Sequence, residues 1–140
     1  MAIRGPKPKA ETLSRRHRSA HGWTEVENVP FKGGRRLSRT RPDGQPWLQR
    51  TRHKWRAWST MPHCCLWRDS DWEFALTAAF IADEFYRTGK TAWASELRHW
   101  ERVMAVTMDD RRSQRIVYVE PRPQVAAVPL RTFADDFSDL

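Results

Sequence analysis

The chain has 140 residues, room for one domain and no second large core. Its 25 Lys/Arg against 17 Asp/Glu leave a net charge of +8. The longest nearly apolar run, Phe74 to Ala82, falls far short of the roughly 20 residues that span a membrane, and no apolar secretory signal opens the sequence. Cys64 and Cys65 are neighbours and cannot staple distant parts of a fold, so a reducing cytoplasm is expected.

Residues 1–46 read as a basic, Pro/Gly-rich arm. Pro6, Pro8, Pro30, Pro42 and Pro46 interrupt any helix, and Gly5, Gly22, Gly33, Gly34 and Gly44 add turns. The one apolar cluster, Trp23, Val26, Val29 and Phe31, buries too little to offset ordering entropy, so the arm is expected to be extended and largely disordered. Residues 1–56 carry 15 Lys/Arg and 4 Asp/Glu, a balance of 15 − 4 = +11, whereas residues 57–120 balance at 8 − 10 = −2. Such a block seeks a polyanion. Nucleic acid is favoured over an anionic membrane, because no basic amphipathic helix with a long apolar face opens the chain. The candidate DNA-binding residues are Arg4, Lys7, Lys9, Arg15, Arg16, Arg18, Lys32, Arg35, Arg36, Arg39, Arg41, Arg50, Arg52, Lys54 and Arg56.

Residues 47–120 read as a helical core. The first helix is expected from about Pro46 to Ser59, with Trp47, Leu48, Thr51, Trp55 and Trp58 in one arc of roughly 100° and cations on both flanks. Pro62 ends it. Ser70-Asp71-Trp72-Glu73 reads as a capping box that opens a second helix, and Gly89 as the left-handed residue that closes it. Between them apolar residues cover most of the circumference. A third helix is expected from about Thr91 to Val106, its stripe Trp93, Leu97, Trp100 and Met104 spaced by 4, 3 and 4. Thr107 and Asp110 look like another helix start, while Ile116-Val117-Tyr118-Val119 prefers a strand; the reading leans to a short helix there. Residues 121–140 form a short acidic tail. The expected fold is all-α: three to four helices with an extended arm and a flexible tail.

A helix that is apolar nearly all round must be buried nearly all round, and two flanking helices of so small a core cannot cover it. A homo-oligomer is therefore expected, with Trp72, Leu76, Phe80, Ile81, Phe85, Trp93 and Trp100 at its interface. The alternative is a compact monomer in which the Trp23–Phe31 segment and the tail fold back as cover.

No motif for chemistry stands out. Thr88-Gly89-Lys90-Thr91 holds the end of a Walker A loop, but Glu84 occupies the place of the required upstream Gly and no strand precedes it. His63-Cys64-Cys65 has poor spacing for zinc. The pairs Asp69/Asp71 and Asp109/Asp110 sit at helix starts, where they offset the helix dipole, which accounts for them without a nuclease metal. The tryptophans lie at core spacing and not as stacking platforms for single strands, Trp23 excepted. No cofactor, no metal site and no enzymatic activity are expected.

In order along the chain, several pieces together resemble the small subunit of tailed-phage terminases, those of actinobacterial phages in particular. They are Arg4-Gly-Pro-Lys-Pro-Lys9, Trp55-Arg-Ala-Trp58-Ser-Thr-Met61, Trp67, Ser70-Asp-Trp72, Glu96-Leu-Arg98 with Glu101, and Thr107-Met-Asp-Asp-Arg-Arg112. Val106 and Met108 stand where the family usually has the Gly and Pro of a turn, and Gln114 replaces an apolar residue. The resemblance implies a non-catalytic, all-α protein of the host cytoplasm that assembles as a ring. It implies binding to double-stranded DNA at the viral packaging site, and delivery of that DNA to a large ATPase/nuclease subunit that it regulates. It further implies a large-subunit contact through the tail, with Phe133, Phe137 and Leu140 as anchors. The rival readings are a generic nucleic-acid-binding regulator and, less favoured, a small metal-dependent nuclease.

Overall fold

A computed structural model of the protein describes residues 22–123. In chain order it contains strand β1 (Thr24–Glu27), helix α1 (Gln49–Ser59), a 3-10 turn (Pro62–Leu66), helices α2 (Asp69–Thr88), α3 (Thr91–Val103) and α4 (Met108–Ser113), and strand β2 (Ile116–Val119).

The helices follow the sequence pattern closely. Thr51, Trp55 and Trp58 are the buried residues of α1. Gly89 closes α2 with φ 63, a left-handed cap that costs a glycine little. On α3 Leu97 is buried, and Trp93 and Trp100 pack half-buried against the core. Phe74 of α2 stacks on Trp100 at 4.1 Å between ring centroids, a geometry worth about 0.5–1.5 kcal/mol beyond the area it buries. Ala75, Ala78, Ala79 and Ala82 are almost fully buried, so small side chains let neighbouring segments approach the α2 backbone. Helix α3 ends earlier than the expected Val106. Ala105 adopts φ 56, its amide bonds to Arg102 and that of Val106 to Glu101, a paired termination that satisfies the last carbonyls.

Three expectations are corrected. First, the opening of α2 is set two residues earlier than a Ser70–Glu73 box. The Asp71 carboxylate accepts the Arg68 amide at 2.7 Å; the Arg68 side chain is donor-only and cannot return a bond. Glu73 is instead held by Arg35. Second, the fold is mostly helical but not all-α. Strands β1 and β2 pair in parallel, with Thr24 opposite Ile116 and Val26 opposite Tyr118. Residues 108–120 are thus both things the sequence hinted at: Thr107 caps α4 through the Asp110 amide, and a strand follows. Third, residues 22–46 are not a free arm. After β1 the chain runs back along α1 as a strap. The Phe31 amide bonds to the Thr60 carbonyl at 3.0 Å and the Trp55 indole N–H to the Arg35 carbonyl at 2.9 Å. Phe31 stacks on Trp72. Gly34 allows this approach: a Cβ there would stand 2.5 Å from the Ser59 carbonyl oxygen.

The strap covers the α1–α2 side of the central rod, which answers much of the exposure that suggested an oligomer. Trp72 and Ile81 are buried within this one chain. Of the folded-back alternative, Phe31 packs on the core and Val26 is buried, while Trp23 and Val29 stay exposed; the tail lies outside the described residues.

Candidate nucleic-acid interface

The strap and α1 bring together basic residues that are far apart in sequence. Thr60, Trp55 and Arg52 of the α1 region meet Phe31, Arg35 and Arg39 in antiparallel order, the last through an Arg52 Nη2 to Arg39 carbonyl contact of 3.3 Å. Lys32, Arg36 and Arg39 of the strap and Arg52 and Arg56 of α1 are all exposed; Arg39 and Arg52 meet on the seam, Arg36 lines the groove between the strap and α2, and Lys32 lies in a pocket with Glu25 and Glu27. Among the described residues none of these five has an acidic partner. The strap and α1 thus carry a group of exposed cations, and residues 1–21, with Arg4, Lys7, Lys9, Arg15, Arg16 and Arg18, precede them in sequence. Those six candidates lie outside the described residues.

Other basic candidates are engaged elsewhere. Arg35 bridges Asp69 at 2.7 Å and Glu73 at 2.9 Å. Lys54 pairs with Glu101 at 2.5 Å and lies over the Trp58 ring. Arg50 is exposed and its guanidinium sits 5.0 Å from the Tyr86 ring centroid.

Arg41 departs furthest from the expectation. Its side chain is 3% exposed and bonds Asp83 at 2.6 Å, Asp43 at 2.8 Å and Glu84. Its guanidinium also lies over the Phe80 ring. Burial alone would lower the Arg41 pKa, but hydrogen bonds to Glu84 and Asp83 outweigh it and raise the value. Arg41 is an internal tie, turned away from any polyanion. Asp83, fully buried, collects four donors: the Thr51 hydroxyl at 2.6 Å, the Leu48 amide at 3.0 Å, Arg41 and Arg87. Burial would raise its pKa, yet those hydrogen bonds hold it below the usual carboxylate value. The sequence reading passed over Asp83; the available signal was a single acid at a core-facing position among Ala79, Ala82 and Tyr86.

The weighed chemical motifs are likewise occupied by the fold. His63 is buried, with Nε2 2.8 Å from the Met104 carbonyl and Nδ1 2.6 Å from the Tyr118 hydroxyl. A carbonyl only accepts, so Nε2 carries the proton and Nδ1 accepts from tyrosine. The Cys64 thiol donates to the Trp58 carbonyl. Among the described residues no group of three or more His, Cys, Asp or Glu is placed to hold a metal ion. Thr88-Gly89-Lys90-Thr91 is the α2–α3 junction. Asp69 pairs with Arg35, and Asp110 caps α4. Among the described residues no helix is long and apolar enough to cross a membrane.

The residues expected at a subunit interface divide. Trp72 and Ile81 are core. Phe85, Trp93 and Trp100 are half-buried, and Leu76 and Phe80 line an open groove. Phe133, Phe137 and Leu140 lie outside the described residues.

Comparison with protein families gives a match over residues 3–135 to a family described as phage terminase small subunit. Comparison with curated proteins and with solved structures gives no match.

Proposed function

This chain belongs to the phage terminase small-subunit family, whose role is in phage DNA packaging, and we propose that it is the non-catalytic component that holds double-stranded DNA at the packaging site. In this reading a ring of copies in the host cytoplasm delivers the DNA to the large subunit and regulates its ATPase and nuclease. The observation that carries the DNA-binding part is the set of exposed cations on the strap and α1, Lys32, Arg36, Arg39, Arg52 and Arg56, which follow the basic residues 4–18 in sequence. Phosphate contacts of this kind position a protein on a duplex without reading its sequence, so site selection falls to DNA shape and bending. Repetition around a ring multiplies weak contacts through effective concentration. With Trp72 and Ile81 committed to the core, the subunit contact falls on Phe85, Trp93, Trp100 and the exposed Val103 beside them. The tail residues Phe133, Phe137 and Leu140 serve as large-subunit anchors.

The test is duplex affinity measured across salt concentrations for Arg39→Gln/Arg52→Gln/Arg56→Gln in the full chain. Each lost phosphate contact lowers the log–log salt slope by about 0.9, so the triple variant loses about 2–3 units of slope. A slope equal to that of the parent overturns these cations as the DNA contact. Native mass spectrometry of the parent chain tests the ring, which a monomer overturns.

A further inference from the structure

We propose that Gln49 and His53, on the outward face of α1, read base edges in the major groove of duplex DNA while the cations beside them hold the phosphates. This rests on the duplex binding put forward above, and adds to DNA shape a direct source of sequence selection. Helix α1 contains no acidic residue. At about 100° per residue, Gln49 and His53 lie about 40° apart on the helix, on the side opposite the buried Thr51, Trp55 and Trp58. Both residues are exposed, and among the described residues neither side chain forms a hydrogen bond or an ion pair. Their backbone is nonetheless fixed. Just ahead of Gln49 the Leu48 amide bonds the buried Asp83 carboxylate at 3.0 Å, the Thr51 hydroxyl bonds it at 2.6 Å, and the Trp55 indole N–H is tied to the strap at 2.9 Å. Unengaged polar tips on an already ordered helix suit recognition, because little is left to order when a ligand arrives.

Charge flanks the pair on both sides. On the strap side Arg52 touches the Arg39 carbonyl at 3.3 Å and Arg56 follows one turn on. On the other side Arg50 sits 5.0 Å from the Tyr86 ring centroid. The two acids that contact α1 are paired, Glu101 with Lys54 and Asp83 with Arg41 and Arg87. A major groove about 12 Å wide admits one helix of about 10–12 Å diameter and has a phosphate backbone along each rim. Two uncharged hydrogen-bonding groups between cationic shoulders therefore match bases between two backbones. The Gln49 carboxamide offers a donor and an acceptor in one plane, the complement of adenine N7 and N6. The neutral His53 imidazole also offers one of each. It lies four residues on, about 6 Å along the helix, so it addresses a base pair one or two steps away. The deep, narrow major groove of A-form RNA excludes such a helix.

The test is selection of bound duplexes from a randomised DNA pool by the full chain, followed by sequencing. The parent is expected to enrich a motif with an adenine position. Gln49→Ala should flatten that position by about five-fold or more, the discrimination of one bidentate base contact, and His53→Ala should flatten a neighbouring one. Gln49→Arg should turn the adenine preference into one for guanine, a change that loss of folding cannot imitate. Neither alanine variant removes a lysine or arginine, so their salt slopes on a duplex of fixed sequence should equal that of the parent. A motif unchanged in both alanine variants, or a parent that binds duplex with a steep salt slope yet enriches no motif, overturns the base readout and leaves the phosphate contacts standing. A parent with no affinity for duplex overturns both.

Discussion

Arg41 and Asp83 meet at 2.6 Å in the interior although 42 residues separate them in sequence. The pair ties the strap to the C-terminal half of α2, and through the other donors to Asp83 it also fixes the start of α1 and the last turn of α2. Removing Arg41 strips Asp83 of one of its two cationic partners while Arg87 stays bonded to it, so the cost stays below that of a buried charge left with no partner. Arg41→Ala is therefore expected to lower unfolding free energy by about 1.5–3 kcal/mol, the worth of a hydrogen bond to a charged group, in urea titration. Arg41→Lys is expected to rescue little, because one ammonium cannot replace a planar fork shared among three carboxylates. At temperatures where Arg41→Ala remains folded, its DNA salt slope should equal that of the parent. A lowered slope would mean that Arg41 reaches phosphate after all.

Much of this arrangement is hidden from a linear reading for a definite reason. Gly89, the Trp93–Leu97–Trp100–Met104 stripe and the Thr107–Asp110 cap are local signals, each contained within a turn or two of helix, and each appears where the spacing puts it. The strap is held by pairs such as Phe31–Trp72 and Arg41–Asp83, roughly forty positions apart, and no periodicity links such partners. Averaged over residues 1–46 the composition is that of an unfolded segment. Yet Phe31 and Leu37 pack on the core, and this sparse pair suffices because the helices supply the remaining apolar surface. The same averaging made Arg41 look like one more phosphate contact. For the candidate site, charge pointed to the right stretch of chain; only the antiparallel course of strap on helix separates Arg39, Arg52 and Arg56, which face solvent, from Arg35, Arg41 and Lys54, which are paired.

His63 gives the fold a pH dependence of predictable sign. Burial lowers its pKa, and the Arg111 charge acts in the same direction, against the opposing hydrogen bond to the Met104 carbonyl. The folded state therefore binds fewer protons than the unfolded chain below the ordinary value of 6.5. Stability is full above that pH and falls as pH drops through the window beneath it. Asp83, also lowered, adds a second and separate loss only below its ordinary value of 3.8. Urea titrations at pH 7.5, 6.5, 5.5 and 5.0 should show the first decline in the parent. His63→Gln should show lower stability throughout and a flatter profile between 6.5 and 5.0. An equally steep profile in that variant would assign the proton uptake to another group.

The adjacent cysteines should react very differently. Cys64 is 1% exposed, and burial, assisted by the neighbouring Cys65, pushes its thiol up to about 12. Cys65 is exposed. The thiolate is the reactive species, so iodoacetamide at pH 8 should modify one site in the native protein, Cys65, and both after denaturation. Peptide mapping distinguishes the two. Rapid native labelling of Cys64 would mean that the 3-10 turn opens on the timescale of alkylation.

Two glycines separate backbone strain from steric exclusion. At Gly89 a new Cβ would meet no atom within 4 Å, so Gly89→Ala is opposed only by φ +63. A left-handed L-residue costs about 1–2 kcal/mol, and a loss of that size is expected, with α2 and α3 still in register. Gly34 has no such dihedral to defend. There the added methyl would stand 2.5 Å from the Ser59 carbonyl oxygen, which is backbone and cannot swing aside. Gly34→Ala should therefore lift the strap off α1, breaking the Trp55 indole to Arg35 carbonyl bond. Because the strap carries Lys32, Arg36 and Arg39, this substitution should also reduce DNA affinity without removing any charge, whereas Gly89→Ala should leave affinity unchanged. Hydrogen exchange at the Phe31 amide, bonded to the Thr60 carbonyl at 3.0 Å, reports the lifting directly. Retained protection at Phe31 in Gly34→Ala would show that the strap keeps its seat by some other set of contacts.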